Sequence, residues 1–195
     1  MVDINVILGL SVQLYAIMDP IAAIPQFMRI LESLTTDEAK KIVVKTSLAI
    51  FVLLTLFTLG GNYILMLFGI SITSLKIAGG IILMAVALDT LITGHKPSKI
   101  EVGEYIIVPL ATPLIVGPGT MTLLIISTGV YGVGSTLISA YIAFTAVYLT
   151  LKLSPHILRL VGATFVNGLG RFMSLIIASF AAEMLLRGVK DLLMT

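Results

Sequence analysis

Residues 18–25 read MDPIAAIP and interrupt the first apolar run of the chain with a carboxylic acid and two prolines. Proline lacks a backbone N–H and clashes with the preceding turn of a helix, but it fits well at a helix's first position. An aspartate directly before such a proline is a good N-cap. The stretch therefore predicts two half-helices, the second of which begins at Pro20 with Asp19 as its cap.

The composition around this stretch is that of a membrane protein. Of 195 residues, 58% are hydrophobic and only 11% are charged, and the mean hydropathy is +1.12. Soluble domains carry about 25% charged residues, so this chain has too few charges to cover a globular surface. A soluble enzyme, a disordered region and a nucleic-acid-binding protein are excluded. A helical span needs ~20 apolar residues, which leaves room for about six or seven spans.

The sequence offers no catalytic machinery. It contains no cysteine, and no nucleotide-binding loop, zinc motif or nucleophile–base set is visible. We therefore expect no enzyme activity, no cofactor and no bound metal.

The apolar runs predict an all-α polytopic membrane protein with a single transmembrane domain over residues 1–195. Pro155 and the polar residues near it interrupt the run after the fifth span, and residues 154–167 predict a short interfacial helix there. The six predicted spans cover residues 4–31, 42–68, 70–93, 102–128, 135–151 and 168–193.

The fourth span repeats the pattern of the first. Residues 111–118 read ATPLIVGP, so both spans contain two prolines separated by four residues, and the second pair lies 93 residues after the first. A possible N-cap precedes each pair, and the second half-helix of the fourth span is predicted to begin at Pro113. Both breaks fall near the bilayer midplane, counting ~1.5 Å per residue from the span ends.

A weaker pattern links the third and sixth spans. Lys76 is followed by an apolar run and then Asp89, and Arg171 is followed by a similar run and then Glu183, with the two bases 95 residues apart. Three spans are an odd number, so the second half must enter the membrane from the opposite side. The sequence thus predicts two inverted three-helix repeats, over residues 1–93 and 102–195, an arrangement common in secondary transporters.

The charges in the connections predict the orientation. Nine lysines and arginines lie in or near the connections after the first, third and fifth spans, against three on the opposite side. The positive-inside rule places both termini outside the cytoplasm, in a multi-pass protein of the plasma membrane. Small residues of the sixth span such as Ala178 and Ala182 would permit contact within a chain or with a second copy in a homo-oligomer.

The broken helices offer a binding site for a zwitterion. Half-helix N-termini present N–H groups and a positive dipole end to a carboxylate, and carbonyls beside the prolines can accept hydrogen bonds from an ammonium group. The alternative is a purely structural role, in which the prolines only kink the helices for packing. The predicted substrate-binding residues are Asp19, Pro20, Pro25, Thr112, Pro113, Gly117, Pro118 and Gly119.

Three acidic residues are candidates for ion coupling. Asp19 falls near the midplane, where a charge costs at least ~2.5–3.5 kcal/mol and needs a compensating role. That role is binding an ion, a proton or a substrate ammonium, or simply capping a helix. Asp89 and Glu183 lie nearer span ends, where a salt bridge or snorkelling accounts for them as well as a role in an ion pathway.

Four segments resemble the MarC family of membrane proteins, which includes the SnatA-type transporters. The segments are DPIAAIPQF (residues 19–27), FGIS (68–71), KIAGGI (76–81) and PLATPLIVGPGT (109–120), so the likeness spans nearly the whole chain. The resemblance implies six helices in a three-plus-three inverted repeat. It also implies transport of small neutral amino acids such as glycine and alanine, coupled to protons.

Two other functions stay open at this point. A cation channel on a related inverted-repeat scaffold would need a continuous polar pore, and few polar residues are available to line one. A membrane scaffold without transport would give no reason for duplicated breaks. The leading interpretation is a secondary transporter, whose partners are a small neutral amino acid, a coupling proton and the lipid bilayer.

Overall fold

The computed structural model describes residues 3–32, 34–93 and 115–194. The helices are α1 (Ile4–Met18), α2 (Pro20–Glu32), α3 (Thr36–Phe68), α4 (Ile72–Thr93) and α5 (Pro118–Leu193). Helices α3, α4 and α5 are each long and apolar enough to cross a membrane, and α1 and α2 together form a fourth candidate span with a bend of 42°. The prediction of an all-α polytopic membrane protein is confirmed, whereas the arrangement of six spans in two inverted repeats stays a prediction.

Helix α5 is broken twice by glycine. A straight helix of 76 residues would be ~114 Å long, several times the thickness of a bilayer. Gly132 (φ 81°, ψ 162°) and Gly162 (φ 77°, ψ 159°) leave the helical conformation, and glycine alone enters this region at little cost. The breaks divide α5 into α5a (118–131), α5b (133–161) and α5c (163–193).

The prediction of a short interfacial helix over residues 154–167 is wrong. Pro155 lies inside α5b, and the chain breaks instead at Gly162. Proline cannot donate to the carbonyl of Leu151 four residues earlier. The hydroxyl of Ser154 donates to that carbonyl at 2.7 Å, so the helix tolerates its proline without a break.

Helix α3 has well-defined ends that the neighbouring residues explain. Thr35 and Glu38 form a reciprocal capping box at its start. Gly69 ends it in the left-handed conformation (φ 65°), and its N–H donates to the carbonyl of Met66 at 3.2 Å. Only two residues separate Gly69 from the start of α4, so α3 and α4 form a tight helical hairpin.

The four helices of the first half pack chiefly on α5. Helix α4 runs antiparallel to α5a, because a Cβ on Gly79 would meet Thr122 whereas a Cβ on Gly119 would meet Leu83. Close approach of the two backbones therefore depends on these two glycines.

Helix α4 also runs antiparallel to α5c. Gly80 lies against Leu185, and Lys76 near the start of α4 pairs with Asp191 near the end of α5c at 2.7 Å. Helix α3 contacts α5b through Phe51, whose ring stacks on that of Tyr141.

Two apolar clusters hold the bundle together. The larger joins α1, α2 and α3 to α5a and α5b around Leu14, Phe27 and Leu54. The smaller joins Ile17 of α1 to Leu83 of α4 and to α5c. The many exposed large apolar side chains lie outside these clusters, on the surface that a bilayer would cover.

Candidate functional site

The break between α1 and α2 consists of a single residue, Asp19. Its backbone is left-handed (φ 42°, ψ 62°), and among the described residues it is the only one other than glycine with a positive φ. Its N–H donates to the carbonyl of Tyr15 and so ends α1, while its Oδ1 accepts from the N–H of Ala22 at 3.3 Å and so caps α2. The predicted cap is confirmed, and one residue serves both half-helices.

The carboxylate of Asp19 is deeply buried, with only 1% of the residue exposed. Burial disfavours the charged form, whereas the N-terminal end of α2 favours it. A carboxyl group held between these opposing effects is suited to gain and lose a proton or to bind a cation.

The two prolines of the first break leave carbonyl groups without their usual helical donors. Pro20 begins α2 as predicted, and Pro25 lies inside it. Neither has an N–H, so the carbonyls of Ala16 and Ile21 receive no i+4 hydrogen bond. Such carbonyls are the acceptors that an ammonium group or a cation needs in a nonpolar surrounding.

The second break has a different construction. Gly117 is the N-cap of α5 in an extended conformation (φ −87°, ψ 179°), without a side-chain cap, and Pro118 is the first helical residue. Gly119 is buried against Leu83 and Ile17, where a side chain would not fit. The hydroxyl of Thr120 donates to the carbonyl of Ile115 at 3.4 Å.

The predicted start of the second half-helix, Pro113, lies outside the described residues. Within them, α5 begins at Pro118, which occupies the position equivalent to Pro25. Gly117 adopts the extended conformation that separates Pro118 from the residues before it. Thr112 and Pro113, both predicted to bind substrate, lie outside the described residues.

The three predicted ion-coupling residues lie at three different places. Asp89 is half-buried one turn before the end of α4, and its backbone carbonyl accepts from Thr93. Glu183 is on α5c, where its Oε1 accepts from Nε of Arg187 at 2.7 Å. Only Asp19 lies in a helix break, so it alone combines burial with the open backbone that a coupling site requires.

Sequence reasoning missed several polar and small residues around the first break. Tyr15 lies one turn before Asp19, and its hydroxyl is 2.9 Å from that of Thr150 on α5b. A Cβ on Gly170 of α5c would lie 3.1 Å from Ala22, so α5c closely approaches the start of α2. No local pattern marks these residues, because contacts between α1, α2 and distant parts of α5 create their roles.

Buried polar groups also lie near this contact. Asn167, one turn before Gly170, has a buried Oδ1 that accepts no hydrogen bond from the described part of the chain. Within the same ranges, no group of three histidine or acidic side chains is arranged to hold a metal ion.

Comparison with known proteins places the whole chain in one family. The model of the MarC family of integral membrane proteins matches residues 4–193. A UPF0056 membrane protein of Methanocaldococcus jannaschii is 31% identical, with 93% of this chain and 94% of that protein covered.

Two bacterial membrane proteins are also similar to this chain over most of their length. The UPF0056 membrane protein YvbG of Bacillus subtilis is 33% identical, with 95% of each chain covered. The UPF0056 inner membrane protein YhgN of Escherichia coli is 31% identical, with 95% of this chain and 97% of that protein covered. No solved structure matches. Because the family model matches nearly its whole length and its helices are long and apolar enough to span a membrane, the chain belongs to the MarC family of integral membrane proteins.

Proposed function

We propose that this protein is a secondary transporter of small neutral amino acids, of the glycine and alanine class, driven by protons. The observation that carries the proposal is Asp19. It is a carboxylic acid buried to 1% exposure at a break inside a bent pair of apolar helices. An ionisable residue at such a place marks a substrate or ion pathway by default, because its burial is otherwise costly.

The transporter proposal includes six spans in two inverted repeats. The left-handed Gly69 between α3 and α4 and the break at Gly162 between α5b and α5c are 93 residues apart. The two proline pairs have the same separation. Helix α3 lies against α5b and α4 lies antiparallel to α5c, as equivalent helices of inverted repeats do around a two-fold axis.

The two breaks offer complementary groups for a zwitterion. The first turn of α5 has N–H groups at Gly119 and Thr120 without intrahelical acceptors, and these suit a carboxylate. Asp19 and the carbonyls beside Pro20 and Pro25 suit an ammonium group. A Cβ on Gly119 would lie 3.4 Å from Cγ2 of Ile17, two residues before Asp19, so the first turn of α5 lies beside the end of α1.

The size of the substrate follows from the residues at the breaks. Gly119 has no room for a side chain, and Ala22 is pressed against Gly170 of α5c. Neighbouring helices therefore pack closely beside both breaks, and a site formed between them would be small. Glycine and alanine are therefore the proposed substrates, and larger side chains would be rejected by overlap rather than by charge.

The orientation proposed for the transporter follows the lysines and arginines. Both termini would lie outside the cytoplasm, which places the Gly69 turn outside and the Gly162 break inside. A single cysteine added at either terminus of this cysteine-free chain and labelled from one side of intact cells would test that orientation.

Uptake of radiolabelled alanine by purified protein in proteoliposomes tests the proposed function. We expect saturable uptake that a proton gradient accelerates and that excess glycine inhibits. Empty liposomes and a large labelled amino acid such as leucine are the controls. Rapid ion leakage without saturable alanine uptake would contradict the transporter and favour a cation channel.

A further inference from the structure

A cavity of about 340 Å³ lies between α1, α4, α5a and α5c, apart from the break at Asp19. We name it the Glu183 cavity. Cavities of about 300–1,000 Å³ are the usual size for small-molecule sites. Its polar and charged walls include Gln13, Lys76, Ser127, Glu183 and Arg187, and Ile17 is among its apolar lining residues.

Ser127 is a buried residue whose position lines this cavity. The residue is 2% exposed, and its hydroxyl makes no hydrogen bond with the described residues. Other buried hydroxyl groups of α5 make hydrogen bonds within the helix. Thr128 and Ser139 each donate to the carbonyl four residues earlier at 2.9 Å. A hydroxyl that makes no such bond, in an apolar bundle, needs a water or a solute as its partner.

The charged groups at the cavity have both signs. Glu183 and Arg187 pair through one guanidinium nitrogen, which leaves the other guanidinium donors of Arg187 available to a ligand. Lys76 is 19% exposed in its side chain and pairs with Asp191. Arginine and lysine suit a carboxylate, whereas Glu183 suits an ammonium group, so the wall is complementary to a zwitterion.

Ile17 lies between the cavity and the second helix break. Its side chain lines the cavity, and its Cγ2 would lie 3.4 Å from a Cβ on Gly119. It is buried together with Leu83 and Ala181 in the smaller apolar cluster. A thin apolar layer thus separates the Glu183 cavity from the backbone of the breaks.

We propose that the Glu183 cavity is a second binding site for a small zwitterionic amino acid, separated by Ile17 from the site at the two helix breaks. The identity of the ligand rests on the proposed transport function. The carboxylate binds Arg187, with Lys76 adding positive charge, and the ammonium group binds Glu183. Ser127 and Gln13 supply hydrogen bonds deeper in the cavity.

Cysteine labelling tests this site directly, because the native chain contains no cysteine. The Ser127→Cys variant in lipid nanodiscs should react with a negatively charged methanethiosulfonate about 10-fold faster than Ser139→Cys, since only an accessible thiolate reacts. Ser139 is buried to 0% exposure and does not line the cavity, so it is the matched control. Equal rates for the two variants would overturn the proposal.

Protection by solutes tests the ligand. Alanine should slow the labelling of Ser127→Cys, whereas alaninamide and propionate, which each lack one of the two charges, should not. If Ser127→Cys does not fold as a monodisperse protein, Gln13→Cys takes its place with the same expected result. Protection by all three solutes, or by none, would contradict a zwitterion site.

A charge-matched pair of variants tests the role of Arg187. In the Ser127→Cys background, Arg187→Gln should raise the alanine concentration for half-protection about 10-fold, the loss expected for a charge-assisted hydrogen bond. Arg171→Gln should leave it unchanged, because Arg171 is an exposed base of the same segment outside the cavity. Equal effects of the two variants would overturn the assignment of Arg187.

The two proposals fail in different ways. Alanine uptake by the wild type without protection of Ser127→Cys would overturn the cavity site and leave the transporter intact. Protection without uptake by the wild type would overturn the transporter and leave the cavity as a binding site. With both proposals correct, Asp19→Asn abolishes gradient-driven uptake but retains protection of Ser127→Cys.

Discussion

The two helix breaks contain similar proline pairs but differ in chemistry. The first consists of Asp19 alone, a left-handed residue whose buried carboxylate caps α2. The second is closed by Gly117, an extended N-cap without a side-chain bond, and is followed by Gly119, which lies against Leu83 and Ile17. One break contributes an ionisable group, and the other contributes bare backbone.

This difference explains how one sequence pattern can serve two tasks. The proposed repeats would give two half-helix ends, whereas the proposed zwitterionic substrate needs unlike groups at its two poles. The carboxyl group at the first break and the backbone N–H groups in the first turn of α5 would provide that asymmetry. Substitutions that exchange or remove these properties should therefore have unequal effects in the two halves.

The largest effect is expected from Asp19→Asn. Asparagine tolerates the left-handed conformation, and its amide oxygen can still accept from Ala22, so the fold should persist. Gradient-driven alanine uptake should fall by about 100-fold or more, as for loss of a proton-transferring group. Unchanged uptake in a variant whose thermal unfolding matches the wild type would show that Asp19 is only a cap.

The next effect concerns the second break. Gly119→Val should lower stability by about 1–3 kcal/mol because its side chain would overlap Leu83 and Ile17. Thermal unfolding in detergent measures the loss, and Gly134→Val, at a glycine with open space around it, is the control. Adding Leu83→Ala should restore part of the stability, and no restoration would contradict close packing at this point.

A smaller effect is expected from substituting the two glycines Gly69, between α3 and α4, and Gly162, between α5b and α5c. Gly69 is left-handed (φ 65°, ψ 27°), whereas Gly162 has φ 77° and ψ 159°. Gly69→Ala should cost about 1–2 kcal/mol, and Gly162→Ala should cost more, up to ~3 kcal/mol, because its region is almost exclusive to glycine. Equal losses in the free energy of unfolding for the two variants would contradict the expected difference between Gly69 and Gly162.

The smallest effect concerns the ion pair between α4 and α5c. Lys76 and Asp191 are partly exposed, so Lys76→Met should change stability by only about 0–1 kcal/mol. The exchanged pair Lys76→Asp with Asp191→Lys should unfold at nearly the wild-type temperature. A loss well beyond this range would mean that the pair is buried more completely when the protein is in a bilayer.

Local chemistry explains which parts of the fold could be predicted. The break at Asp19–Pro20, the capping by Asp19 and the apolar helices follow from composition and from what proline does to a helix. The start of α5 at Pro118 could not be predicted, because it depends on the extended conformation of Gly117, which no local pattern indicates.

Local side-chain bonds and contacts between distant segments both limit what the sequence can predict. Pro155 stays inside a helix because Ser154 satisfies the carbonyl of Leu151, a side-chain bond that periodicity does not reveal. The cavity beside Glu183 and Arg187 depends on how α1, α4 and α5 pack. Gly170 gains its importance only through Ala22, which is far away in the sequence.

The most direct test of the central claim is to count the protons that move with alanine. Proteoliposomes with a trapped pH indicator would be given labelled alanine without an imposed gradient, with wild-type protein and with Asp19→Asn. We expect the wild type to move protons in proportion to alanine, and the variant to move none while it still binds alanine. Proton movement in the Asp19→Asn variant equal to that of the wild type would contradict Asp19 as the coupling site.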